Sequence, residues 1–165
     1  MTQNFKVRIP HTTHDSTYTL PAGLINDRVR FAYTHGQCHA LAQALCEILG
    51  MPPALIVSSR IEETLNMSAE EILASGEVPD YAAAWHWDHA LVQLGPDFLD
   101  IRGVLTKEQA SVSQKGYLIV PSTLRQLKFL IKETNPARAN MDAARHYAKL
   151  VIKEYLGAPR LSLTN

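Results

Sequence analysis

The chain has 165 residues, with 16 lysines and arginines, 16 aspartates and glutamates, and 46% apolar residues. This length fits one domain with its own core, and the composition excludes a disordered, collagen-like or low-complexity chain. No apolar run approaches the ~18 residues of a membrane span, and the N-terminus lacks a signal-peptide pattern. Two cysteines do not make a disulfide framework. We expect a single soluble cytoplasmic domain over residues 1–165.

Charge is divided unevenly along the chain. Residues 1–102 carry 6 basic and 12 acidic residues, a balance of −6, whereas residues 103–165 carry 10 and 4, a balance of +6. Either the two sets of surface elements attract each other weakly, or the C-terminal helices present a basic face to an acidic partner. That face would comprise Lys128, Lys132, Arg138, Arg145, Lys149 and Lys153. No interleaved aromatic residues or groove-reading motif accompany it, which argues against nucleic-acid binding.

The N-terminal region predicts an irregular arm followed by one helix. Residues 1–25 show no strong period and contain at most one short strand, Phe5–Ile9. Apolar residues then recur at helical spacing from Cys38 to Leu49, and Gly50 ends this helix.

A short buried strand, Ala54–Ser58, is predicted next. Ser68-Ala-Glu-Glu71 is a capping box, which opens a short helix that ends at Gly76. The surrounding segment Ile61–Tyr81 is acidic, and we expect it to form a solvated excursion between core elements.

The second half of the chain predicts three strands and two helices. The strands are Trp85–Leu94, Phe98–Ile101 and Tyr117–Val120, and the helices are Ser122–Glu133 and Ala137–Leu156. The order of helix, strand, excursion, β-meander and two helices predicts an α+β fold, with helices segregated from a small antiparallel sheet. Within it, residues 34–120 would form the core and residues 122–156 a C-terminal helical pair.

Cys38 stands at the start of the most clearly predicted helix, in the segment Tyr33-Thr-His-Gly-Gln-Cys38-His39. Unsatisfied N–H groups and the positive end of the helix dipole favour a thiolate there. The same N–H groups can bind a developing oxyanion, and we expect Gly36 to leave space for a substrate. Cys46 lies inside the helix and is interpreted as a small buried apolar residue.

His89 and Asp100 are the candidate partners of Cys38. His89 begins the apolar run Ala-Leu-Val and could act as a general base, whereas Asp100 could orient an imidazole or pair with Arg102. If Gly95 and Phe98 flank a two-residue turn, Asp100 pairs with Gln93 on the face of His89. His89 then lies about 13 Å along the strand from Gln93, so contact requires strong twist or a bulge.

These segments resemble the papain-like cysteine hydrolase superfamily. The resemblance covers Gly36 to Gly103 and consists of Gly-x-Cys at a helix start, His-Ala-Leu-Val, and Leu-Asp-Ile-Arg-Gly. Within the superfamily, the chain looks most similar to the transglutaminase-like, NlpC/P60-like and bacterial papain-like toxin branches. The resemblance implies Cys38 as nucleophile, His89 as base and Asp100 as the orienting residue, without a cofactor. It provides no clear match to papain's oxyanion glutamine, because Gln37 adjoins the cysteine.

Four further residues are candidates for the oxyanion site or the substrate cleft. They are Gln37, His35, Trp85 and Trp87. At strand alternation the two tryptophans would share a face, either packing in the core or lining a cleft for a substrate chain.

Two other interpretations compete with the thiol hydrolase. A zinc site could use the clusters His35/Cys38/His39 and His86/Asp88/His89, although their spacing matches no zinc signature. Alternatively, the chain could be a catalytically inactive papain-like interaction module.

A hydrolase of this kind is expected to act on a specific peptide or protein substrate. The acidic excursion leads directly into the His89 strand, and an acidic flap beside the cleft would prefer basic or neutral chains. The motif does not separate hydrolysis from deamidation or transglutamination, because all three begin with the same thioester.

Overall fold

The computed structural model describes residues 3–10, 15–111, 117–134 and 138–157, in which seven strands and eight α-helices are present. The strands are β1 (Asn4–Pro10), β2 (Asp15–Pro21), β3 (Pro53–Val57), β4 (Trp87–Leu94), β5 (Asp97–Asp100), β6 (Gly103–Leu105) and β7 (Leu118–Pro121). β1 pairs with β2, and the other five form one antiparallel sheet in the order β6-β5-β4-β3-β7. The predicted α+β class is confirmed.

The helices are α1 (Asp27–His35), α2 (Cys38–Leu49), α3 (Ile61–Leu65), α4 (Ala69–Ser75), α5 (Asp80–His86), α6 (Lys107–Ser111), α7 (Leu124–Thr134) and α8 (Met141–Val151). A π-helical turn, Ile152–Leu156, continues α8. No helix among the described residues has the length and apolarity needed to cross a bilayer.

Helix α2 lies at the centre of the packing, against β4 of the sheet and against α7 and α8. Eight of its twelve residues are buried, so apolar contacts surround most of the helix. The largest core cluster joins α1, α2, α8 and the β1–β2 pair to Val92 and Leu99 of the sheet. A smaller cluster on β3, β4, β5 and β7 includes Ala110 of α6. The start of α2 is thereby fixed next to β1 and β4.

Several local signals predicted elements correctly. Helix α2 has the bounds expected from its apolar period, and β3 differs from the predicted Ala54–Ser58 by one residue at each end. The capping box is present, because the Ser68 hydroxyl accepts from the Glu71 N–H at 3.3 Å and the Glu71 carboxylate accepts from the Ser68 N–H at 2.7 Å.

Other predicted elements are wrong in part. The N-terminal arm is not irregular, because β1 contains the expected strand and pairs with β2. Trp85 and His86 belong to helix α5, so β4 begins only at Trp87. The strand predicted at Tyr117–Val120 is β7, which pairs with β3 at one edge of the sheet. The third strand of the meander is instead β6, at the other edge. The final helix begins at Met141; its predicted first residue, Ala137, lies outside the described residues.

The β4–β5 hairpin has a different register from the one predicted. Leu94 pairs with Asp97, so the two-residue loop is Gly95-Pro96. Gly95 has a φ of 59°, as a turn with glycine at its first central position requires. Continuing this register places Asp100 opposite Leu91 instead of Gln93, only two residues from His89. The expected separation of about 13 Å therefore does not exist.

Candidate active site

Cys38 is the first residue of α2, and the side chain of the N-cap residue, Gln37, does not cap the helix. The first N–H groups of a helix have no partner within it, so they remain available to an anion at this position. Gly36 lines the cleft, but the space left by its missing side chain is taken up by Pro10, because a Cβ there would lie 2.5 Å from Pro10 Cδ. The lack of a side chain at Gly36 instead lets β1 approach the start of α2.

Gln37 is fully buried and is held by backbone groups. Its Nε2 donates to the carbonyl oxygens of Arg8, at 2.7 Å, and of Arg138. Its Oε1 accepts from the N–H of Asn140 at 3.4 Å. The side chain therefore ties the start of α2 to β1 and to the segment before α8, and the structure does not place it in the cleft.

His89 and Asp100 are in direct contact, as the corrected hairpin register allows. His89 Nε2 lies 3.0 Å from Asp100 Oδ2, and both side chains are almost completely buried. In the tautomer with a proton on Nε2, the imidazole donates to the carboxylate, which leaves Nδ1 as the ring nitrogen for the thiol.

Asp100 also binds Arg102, so the two alternatives considered for this carboxylate occur together. Oδ1 accepts from the Arg102 backbone N–H at 2.7 Å, and Oδ2 accepts from Arg102 Nη2 at 2.6 Å. Burial raises the pKa of the Asp100 carboxyl, but hydrogen bonds from His89 and Arg102 outweigh burial and hold it below its ordinary value. Asp100 is therefore a fixed anion behind the imidazole.

The environment of Cys38 favours the thiolate. Burial raises the pKa of the thiol, but the neighbouring imidazoles of His89 and His39 outweigh burial and lower the pKa to about 5. Burial lowers the pKa of His89, but Cys38 and Asp100 outweigh it and raise the pKa to about 10. The two shifts describe a coupled thiolate–imidazolium pair between these pH values.

A cleft of about 740 Å³ opens onto this pair. Cys38, His89, His35 and Trp87 line it, but Trp85 does not. Trp85 is 83% exposed. It belongs to helix α5 and not to the strand on which both tryptophans were expected, so the two do not share a strand face. The described lining residues include none from Ile61–Tyr81, so the acidic excursion is not a flap over the cleft.

His39 is a member of the site that the catalytic interpretation of the sequence missed. It is 5% exposed, lines the cleft beside Cys38, and packs edge-on against Trp87 with ring centroids 5.9 Å apart. Within the described part of the chain its Nε2 has no hydrogen-bond partner. Its position directly after the cysteine, in the first turn of α2, was the available signal.

The two proposed zinc clusters do not assemble. In the described ranges no three His, Cys, Asp or Glu side chains are placed to hold one metal ion. His86, one of the six candidate ligands, is on α5, where its Nε2 lies 2.7 Å from the Thr64 hydroxyl.

Part of the expected basic face is neutralised within the protein. Lys128 pairs with Glu47 of α2 at 3.3 Å, and Arg145 pairs with Asp142 at 3.7 Å. The first of these pairs joins the two halves of the chain, as the weak-attraction interpretation of the charge asymmetry implies.

Comparison of the chain with family models, with curated proteins and with solved structures gives no match. The chemical interpretation of the cleft therefore rests on its own geometry. A thiolate at a helix start, an imidazole fixed by a buried carboxylate, and a cleft above both are the components of nucleophilic acyl transfer.

Proposed function

We propose that this protein is a cysteine-dependent hydrolase or acyltransferase that acts on a specific peptide, isopeptide or amide bond. Cys38 is the nucleophile, His89 the acid and base, and Asp100 the orienting residue. The contact of His89 Nε2 with Asp100 Oδ2 at 3.0 Å, beside the thiol in one cleft, is the observation that carries the proposal.

In this mechanism the Cys38 Sγ attacks the carbonyl carbon of the acyl donor, and the C=O electron pair moves onto oxygen. The N–H groups at the start of α2 stabilise the oxyanion. Collapse of the intermediate forms a thioester and expels an amine, which takes a proton from the His89 imidazolium. Water or an amine acceptor, deprotonated by His89, then attacks the thioester and releases Cys38.

The order Cys38, His89, Asp100 and the α+β architecture support a place in the papain-like superfamily. The transglutaminase-like, NlpC/P60-like and bacterial papain-like toxin branches are the nearest in appearance. The failure of the zinc clusters to assemble within the described residues favours the thiol hydrolase over the metal site.

An acyl-probe and peptide-library screen tests the proposal. Wild type should form a covalent acyl-enzyme that is absent from Cys38→Ala and retained by Cys46→Ala, the matched control on the same helix. Casein should be cleaved little, because the proposed enzyme acts on one specific bond and not on unfolded protein in general. The absence of any Cys38-dependent acyl-enzyme across broad probes would refute the proposal.

A further inference from the structure

Arg102 places a rigid guanidinium at the edge of the cleft. Its Nε lies 3.2 and 3.0 Å from the two Asp100 oxygens, and its Nη2 lies 2.6 Å from Oδ2. The side chain is 30% exposed and lines the cleft with Cys38 and His89. Among the described residues no hydrogen bond engages Nη1, so one end of the guanidinium still has donors to offer.

A guanidinium fixed in this way is preorganised for a second planar anion. It loses little side-chain entropy when a ligand binds, because Asp100 already holds it in one orientation. N–H donors on a charged fork bind carboxylates more strongly than neutral carbonyl groups.

The excess of positive charge lies in a second groove beside the cleft. Asp88 contributes the single carboxylate among the described lining residues of the cleft itself, and Arg102 of the cleft is already paired with Asp100. A second groove of about 500 Å³ shares Arg138 with the cleft and continues to Lys6 and Arg8.

The second groove contains one carboxylate among its described lining residues, Asp142, and this group already pairs with Arg145 at 3.7 Å. Lys6 and Arg8 are exposed on β1. The two grooves meet at Arg138, and the second groove carries the exposed cations Lys6 and Arg8 against this one paired carboxylate.

We propose that the acyl donor is an acidic peptide, with a carboxylate next to the scissile bond bound by Arg102 and the chain continuing toward Lys6 and Arg8. This inference rests on the proposed function and names its substrate class. It replaces the preference for basic or neutral chains, because the acidic excursion that suggested that preference does not line the cleft. Binding adds no covalent step: the carboxylate remains ionised and only orients the donor.

The test compares acyl donors that share one scissile bond and differ only in flanking charge. Three donors carry Glu, Gln or Lys beside the bond, and a further pair ends there in a free carboxylate or an amide. Wild type should use the Glu donor about 10-fold better than the Gln donor in kcat/KM, and the Lys donor least. Comparison of the Glu/Gln pair with the carboxylate/amide pair shows which source of carboxylate the site binds. Only the pair with the correct carboxylate should show a higher kcat/KM for its charged member.

Charge reversal in the second groove gives the selective variant. For this variant the donors are longer and carry either Glu or Gln at the positions farther from the scissile bond. Lys6→Glu/Arg8→Glu should reduce the preference for the Glu form over the Gln form about 10-fold and weaken the salt dependence of that preference. Lys149→Glu/Lys153→Glu, an equal charge change on exposed residues of α8 and its π-helical turn, should leave the preference unchanged. Circular dichroism and the Cys38 alkylation rate with neutral iodoacetamide show that the variants are folded and keep the nucleophile.

Arg102→Lys tests the contact beside the bond. It keeps the positive charge but loses the fork, so the Glu/Gln preference should fall even after correction for any loss with the Gln donor. Equal use of the three donors, or a preference for Lys, would overturn the inference and leave the hydrolase intact. Failure of every donor to acylate Cys38 would overturn the proposed function and this inference with it.

Discussion

The two thiols of helix α2 differ sharply although both are buried. Cys38, at the helix start, has a pKa lowered to about 5 by its neighbouring imidazoles against the opposing effect of burial. Cys46, two turns later, has a pKa raised to about 12 by burial and by Glu47. Burial alone therefore favours the neutral thiol, as at Cys46, whereas the neighbouring imidazoles favour the thiolate at Cys38.

The two ends of α2 are also held in place by different kinds of contact. The Cys46 end is surrounded by apolar contacts within the main core cluster. The Cys38 end is held by polar contacts, including the buried Gln37 amide. Substitutions at the Cys38 end of the helix should therefore change the reactivity of Cys38 and leave the reactivity of Cys46 unchanged.

The largest expected contrast is in alkylation. Near neutral pH, iodoacetamide should label Cys38 at least about 100-fold faster than Cys46, because only Cys38 is substantially thiolate. The Cys38 rate should fall as the pH drops through about 5, since a lowered pKa means that the thiolate is lost only in acid. Mass spectrometry after limited labelling measures both rates. Preferential labelling of Cys46 would contradict the assignment.

His89→Ala should remove most of what distinguishes Cys38 from Cys46. Acyl transfer should fall by at least about 100-fold, because the general acid and base is lost. The alkylation midpoint of Cys38 should move to higher pH, because His89 is the strongest of the groups that lower its pKa. His86→Ala, at a half-buried position on α5 that does not line the cleft, is the matched control and should change neither quantity. Full activity in His89→Ala would require His35, His39 or His86 as the base.

Asp100→Asn should lower the free energy of unfolding as well as the activity. It leaves His89 and Arg102 without their shared anion, and loss of one partner from a buried ionic group costs about 3 kcal/mol. Urea unfolding of Asp100→Asn and wild type measures this cost at pH 7.

The stability difference between wild type and Asp100→Asn should depend on pH, because the pKa of Asp100 is lowered in the folded protein. The Asp100 pKa is lowered on folding, so its stabilisation is complete above the ordinary carboxyl value of about 4 and is lost as the pH falls through the folded value. The gap between wild type and Asp100→Asn should therefore shrink in acid. A gap that stays constant down to pH 2 would show that the carboxylate charge is not its source.

Elements with complete local signals could be predicted from the sequence. Helix α2 has both its apolar period and a terminal glycine, and α4 has a capping box. The junction of α5 and β4 could not be placed, because His86 and Trp87 continue an apolar run without glycine or proline. Strand β6 has only three residues, and its pairing depends on the turn after Asp100.

The three proposed catalytic residues were identifiable by type and order, but their contacts were not. The observed register places Asp100 opposite Leu91, whereas the predicted register places it opposite Gln93. This shift of two residues decides whether Asp100 reaches His89, and it depends on which residues form the hairpin loop. The dual use of Asp100 and the burial of Gln37 depend on side-chain directions that residue spacing does not determine.

The smallest predicted effect comes from alanine at the glycines beyond the two ends of α2. Gly36→Ala would place a Cβ 2.5 Å from Pro10 Cδ, so β1 or the helix start must shift, at a cost of about 1–2 kcal/mol. Gly50→Ala meets nothing within 4 Å but has a φ of 66°, which costs about 1 kcal/mol.

The two costs are similar, whereas the chemical consequences should differ. Gly36→Ala should slow Cys38 alkylation a few-fold, because the thiol is displaced relative to His89; this corresponds to about 1 kcal/mol in the activation free energy. Gly50→Ala should leave the alkylation rate unchanged. Thermal unfolding matched to alkylation rates on both variants measures the contrast. Equal slowing in the two variants would mean that the Cys38 rate follows global stability and not the position of the helix start. Slowing in Gly36→Ala alone would show that the contact between β1 and α2 sets the nucleophile's position.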